Sequence, residues 1–179
     1  MKCFNLRVYG LIINEFNEIL LSDEYRFGQF FTKFPGGGVE AQEGIEAALH
    51  RELQEELGLV VNDVSFFYFN EFHQASAFDQ SNLVAFYYLI RLQKHEFPES
   101  EAYQTPFEIE QEKQRWISIQ KLNSEELTFP IDKIVLEKLK QILLLWGFNI
   151  KLLPLQSSRK AYFLKLEATT KSLVPWVQE

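Results

Sequence analysis

Sulfur and basic charge are both scarce in this chain. A single cysteine, Cys3, stands among 179 residues, so no intramolecular disulfide can form and a reducing, cytoplasmic setting is expected. The three histidines, His50, His73 and His95, are scattered, and no His/Cys spacing suggests zinc. Lys and Arg number 18 against 25 Asp and Glu, a net charge of −7. That deficit argues against a nucleic-acid binder held by phosphate contacts. Long apolar runs are missing too: Ile142 to Trp146 is far too short to span a membrane. The start, Met1-Lys2-Cys3-Phe4-Asn5, lacks a signal-peptide pattern.

What is present has a globular balance, 46% hydrophobic and 24% charged, with no compositional sign of disorder. The length suits one domain of ordinary size. Phenylalanine is abundant at 17 residues, which predicts an aromatic core or cleft.

Along the chain, Phe4 to Ile13 alternates imperfectly and reads as a strand. Asn14 to Asn17 forms a turn, and Glu18 to Ser22 a second strand of a hairpin. Thr32-Lys33-Phe34 leads into a glycine loop at Gly36 to Gly38. A helix is predicted over Ile45 to Leu57, with Gly44 as N-cap and Gly58 at the C′ position. Ile45, Leu49, Leu53 and Leu57 make its buried stripe. Val64 to Phe69 and Asn82 to Leu92 read as strands around a loop at 73–81, and Gln114 to Ile119 as a further strand around Trp116. The stretch Ile131 to Trp146 follows Pro130, precedes Gly147, and forms an amphipathic helix. Residues 149–179 differ in character, with five Lys or Arg against two Glu and no motif. They are read as a basic extension to a domain spanning residues 1–148.

The densest chemistry lies between Gly37 and Leu59. Five residues follow Gly37 before Glu43, and seven more separate Glu43 from Arg51-Glu52-Leu53. One residue later come Glu55-Glu56, and after one more Gly58-Leu59. Residues three and four apart share a helix face, so Glu52 lies beside Glu55 and Glu56. Like charges so placed destabilise a bare helix and call for a cation; a hard divalent ion, Mg²⁺ or Mn²⁺, suits an all-oxygen cluster.

This register resembles the Nudix box, the signature of hydrolases that cut nucleoside diphosphates linked to another group. The flanks Phe34-Pro35-Gly36-Gly37 and Val39-Glu40 match as well; Gln42 departs, since many members carry glycine just before the box glutamate. The resemblance implies an α/β/α sandwich with a mixed central sheet, where periodicity alone gives α+β or α/β. It also implies divalent-metal-dependent cleavage of a pyrophosphate bond in a nucleotide or nucleoside diphosphate compound, by water attack on phosphorus. By the same resemblance Glu52, Glu55 and Glu56 are metal ligands, the Gly36 carbonyl adds another, and Glu52 or Glu55 serves as base. Glu108, Glu110 and Glu112 are alternative bases on a later segment. Gly37, Glu43, Arg51 and Gly58 are structural, with Arg51 bracing the loop and pairing with Glu55. Arg26 and Phe27 lie where members often contact substrate.

The expected partner is therefore a small nucleotide-type molecule, with no membrane and no nucleic acid; a homodimer stays open. A different class also stays open: a non-catalytic Nudix-fold nucleotide sensor, in which the tail meets a partner. About 32 residues follow the last clear helix, too few for a full winged helix.

Overall fold

The computed structural model describes residues 4–79, 81–92 and 103–145. Cys3, His95, Trp146 and the basic 149–179 extension, each singled out in the sequence, lie outside the described residues.

Two strands open the chain, β1 (Phe4–Ile13) and β2 (Glu18–Arg26), paired antiparallel. The turn between them is set by Asn14, whose side-chain oxygen accepts from the N–H of Phe16 at 2.9 Å and of Glu18 at 3.1 Å. Next come β3 (Gln29–Lys33) on β2 and a short β4 (Gly36–Gly38) on β1, followed by helix α1 (Ile45–Leu57). Strands β5 (Val64–Phe69), β6 (Asn82–Arg91) and β7 (Gln111–Ser118) precede helix α2 (Pro130–Leu145). The sheet runs β3-β2-β1-β6-β5, with β4 on β1 and β7 on β2. β1 and β6 are parallel and the other pairs antiparallel, so the sheet is mixed.

β1 explains the imperfect alternation. Tyr9, Leu11 and Ile13 belong to the core under α2, while Val8 and Ile12 belong to the core under α1. A strand buried on both faces needs no polar side. α1 and α2 thus cover opposite faces, and the α/β/α sandwich is the observed architecture. Leu49 and Leu53 are fully buried, joined by Ala48, with Ile45 and Leu57 packed at the margins. On β1 beneath them, a Cβ at Gly10 would crowd Ile90 Cδ1 of β6 at 3.0 Å and only touch Leu53 of α1 at 3.6 Å.

Three expectations need correcting. β2 does not stop at Ser22 but runs to Arg26. Asp23 and Glu24 look like strand-ending charges, yet both are buried and paired: Thr32, Tyr103 and Arg115 hold Asp23, and Lys33 holds Glu24. The glycine loop is itself a strand on β1. β7 starts at Gln111, three residues early, which puts Glu112 in the sheet opposite Glu24. Among the described residues no helix is long and apolar enough to cross a membrane.

Candidate active site

β4 runs so close to β1 at Gly36 that only glycine fits there. Gly36 has φ +128°, and a Cβ there would come within 2.3 Å of the Val8 carbonyl oxygen. At Gly37 the obstacle is functional, since a Cβ would meet the Glu52 carboxylate at 2.3 to 2.6 Å. Glu52 therefore lies flat against the glycine strand, and α1 can deliver its carboxylates there only because that strand is bare.

Arg51 organises the outer half of the acidic group. Its guanidinium donates to both Glu43 oxygens, at 2.7 and 3.2 Å, to Glu52 at 2.9 Å and to Glu55 at 3.1 Å. A further N–H reaches the Gly38 carbonyl at 2.9 Å. The planar fork of donors suits this bridging as a lysine could not. Glu43, bonded by Arg51 and by the Glu40 N–H at 2.7 Å, is held below its usual carboxylate range. Glu55 is the outermost, with its side chain 60% exposed.

Glu56 points the other way. Its carboxylate accepts from the Gly36 N–H at 3.0 Å and sits with Glu24 of β2 and Glu112 of β7, their oxygens within 4.8 Å of one another. Burial pushes the Glu56 carboxyl up to about 7, against the opposing pull of Lys33. Ser22 and Gln114 hold Glu112, at 2.5 and 3.2 Å. Lys33, at the end of β3, aims its ammonium into this inner group: 2.7 Å from Glu24, 2.8 Å from the Gly36 carbonyl and 3.5 Å from Glu56. The three box glutamates therefore do not converge on one point. Glu52 and Glu55 share Arg51 with Glu43, while Glu56 joins Glu24 and Glu112.

Hard oxygen donors clustered so closely fit a divalent cation. Lys33 and Glu24 were missed as members of this group from sequence; the trace available was a lysine two residues before Pro35 and a glutamate closing an apolar strand. Glu112, expected from sequence only as an alternative base with Glu108 and Glu110, is the one of the three in the cluster; Glu108 and Glu110 are exposed on the segment before β7.

A cavity of about 380 Å³ adjoins the cluster, a size usual for small-molecule sites. Glu24, Glu52, Glu56, Lys33 and Gly37 line it, as do Arg7, Arg26 and Phe27. Glu55 is not among the lining residues. An aromatic group of Phe27, Phe31, Phe78 and Phe129 forms another part of the wall, with ring centroids 5.6 to 6.3 Å apart. Asp132, in the first turn of α2, also lines the cavity. Its Oδ1 accepts from the Tyr87 hydroxyl at 2.6 Å, and its buried Oδ2 has no hydrogen-bond partner among the described residues. Burial raises its carboxyl to about 7.

Gln42 has φ +76°. This is left-handed backbone, where glycine is the default residue, and accounts physically for the glycine that other box sequences carry there.

The chain and its fold match known proteins. The family model for the NUDIX domain matches residues 4–139, and the chain belongs to that family. An 8-oxo-dGTP diphosphatase of Escherichia coli (strain K12) is 30% identical over 144 residues, 79% of this chain and 100% of that protein. An RNA pyrophosphohydrolase of Shewanella frigidimarina is 41% identical over 56 residues, covering 31% of each. A solved MutT structure, from work on the Aliivibrio salmonicida and Vibrio cholerae proteins, is 26% identical with a TM-score of 0.51, covering 75% of this chain and 98% of that one. Family, fold and relatives together make this chain a Nudix pyrophosphohydrolase, an enzyme that hydrolyses a pyrophosphate bond. The family generally works with a divalent metal, and the inner glutamate cluster could hold one.

Proposed function

We propose that the substrate is a nucleotide or a nucleoside diphosphate derivative, bound in the cavity beside the glutamates and hydrolysed with Mg²⁺ or Mn²⁺. The observation that carries this reading is a single cavity wall holding three carboxylates, Glu24, Glu52 and Glu56, and a group of aromatic rings. Phosphates need the first and a planar base stacks on the second.

In this reading Glu56, Glu24, Glu112 and the Gly36 carbonyl hold the metal. When bound, the cation neutralises phosphate oxygens and favours ionisation of water. The chain's own residues supply the rest. Arg7 and Arg26 bring positive charge to the cavity wall for the phosphate chain. Glu52, which lines the cavity, takes the proton from the attacking water as its oxygen bonds to phosphorus. The bridging P–O bond breaks, and the leaving phosphate keeps the electron pair. Glu43 and Arg51 keep Glu52 aimed inward. Phe27, Phe31, Phe78 and Phe129 stack on the base, and the unpaired Asp132 oxygen accepts from its edge. Residues 149–179 are an addition to this unit, and the working compartment is the cytoplasm.

The test is a substrate screen with product identification, using Mg²⁺ or Mn²⁺ and a panel of nucleoside triphosphates, oxidised nucleotides, nucleotide sugars, ADP-ribose, dinucleotides and coenzyme A. Turnover of a nucleotide to its monophosphate is expected. Silence across the panel with both ions would overturn the substrate reading.

A further inference from the structure

Lys33 is an unusual neighbour for a cation site. Its side chain is only 4% exposed, and its three N–H donors meet the Glu24 carboxylate, the Gly36 carbonyl and the Glu56 carboxylate. These are oxygens that the proposed metal set also uses. An ammonium and a dication drawn to the same carbonyl and carboxylates repel each other as like charges, so each weakens the other's hold on Gly36 and Glu56.

We infer that Lys33 is a resident counter-cation: in the metal-free protein it holds Gly36 and Glu56 in register, and it yields them when a divalent cation binds. This rests on the metal reading above. Glu24 anchors the exchange. It is the shortest of the three contacts, 2.7 Å, and Lys33 and Glu24 both line the cavity. An ammonium released from Gly36 can stay paired with Glu24 and still face the phosphate chain. Lys33 is thus a positioning residue with two stations. Without it, three carboxylates within 4.8 Å of one another would repel each other in the empty site.

Two consequences separate this from a merely structural ion pair. Removing the ammonium takes away both a competitor and a like charge beside the dication. Lys33→Met should therefore bind Mn²⁺ more tightly, by at least about tenfold, since a unit charge a few ångströms away acts strongly at a protein's effective dielectric. A brace that only held the ligands in place would give the opposite sign. In the wild-type protein, the protected Lys33 ammonium should give a slowly exchanging ¹H–¹⁵N signal, assigned through its side-chain carbons.

The experiment titrates Mg²⁺ into the full chain while following that signal, and measures Mn²⁺ affinity of wild type and K33M by calorimetry. The expected result is loss or displacement of the ammonium signal with the same midpoint as Mg²⁺ binding, and tighter Mn²⁺ binding by K33M. If Mg²⁺ binds and the signal stays unchanged, or if K33M binds Mn²⁺ equally or more weakly, the exchange is overturned while the metal reading stands. If neither ion binds, the metal reading falls and takes the inference with it. Should K33M fail to fold, the wild-type titration decides alone.

Discussion

Asp132→Asn isolates the energetic cost of one buried charge. Asp132 is 1% exposed; the Tyr87 hydroxyl bonds its Oδ1, and its Oδ2 has no hydrogen-bond partner among the described residues. Burial lifts its carboxyl from an ordinary 3.8 to about 7. The sign follows from proton counting. Between those two values the folded protein holds a proton that the unfolded chain has lost, so this group's contribution is complete below the unfolded value and is lost as pH rises through about 7. At 1.36 kcal/mol per unit, the wild type should lose about 2.6 kcal/mol from this residue between pH 5 and pH 8. Asparagine keeps the shape and an acceptor for Tyr87 but cannot titrate. Glu56 titrates the same way in both proteins and cancels from the difference. Urea unfolding of wild type and D132N in EDTA, at half-unit steps from pH 5 to pH 8, reads the result as a stability difference that climbs in favour of D132N. Two curves parallel across that range would refute the reasoning, because they would mean that Asp132 is ionised with an ordinary affinity for protons.

The remaining expectations concern neighbouring residues. Glu52→Gln should lower kcat by about 10²- to 10⁴-fold, as expected for a lost general base, whereas Glu55→Gln, exposed and outside the cavity wall, should cost less than about tenfold; steady-state kinetics on the substrate found by the screen compares them. Arg51→Lys forfeits the fork that ties Glu43, Glu52, Glu55 and Gly38 together; activity should fall by about 10- to 100-fold with secondary structure intact by circular dichroism. Gln42→Gly relieves a non-glycine residue at φ +76° and should stabilise the protein by about 0.5–1 kcal/mol, measured by urea unfolding. Leu53→Ala empties a fully buried position under α1 and should cost about 2–5 kcal/mol.

Much of the fold was legible because local signals agreed with one another. The α1 boundaries at Ile45 and Leu57 match the expectation, since the apolar period, Gly58 and the flanking polar residues all point the same way. β5 likewise ran as expected from Val64 to Phe69. Legibility failed where a long-range partner decides the structure. Nothing near Asp23 announces that Arg115 of the neighbouring β7 and Tyr103 before it will hold its buried charge. Glycine signals a turn, yet Gly36 to Gly38 make a strand on β1, where Gly36 meets the β1 backbone too closely for a side chain and Gly37 meets the Glu52 carboxylate.

The same limit governs the site. Helix spacing correctly puts Glu52, Glu55 and Glu56 on one side of α1, but a helix face spans a wide arc, and two cations divide it. Arg51 comes from the helix itself and was visible in the motif. Lys33 comes from β3 and has no motif; it reaches the cluster because β3 pairs with β2, which brings Lys33 opposite Ser22 and two residues from Glu24. The register of β2 with β7 then sets Glu112 opposite Glu24. Spacing along one helix thus selects the class of reaction, while sheet register selects which carboxylates face a cation. The two are independent, so a chain can keep every residue of the box and still draw the partners of Glu56 from strands the box does not contain.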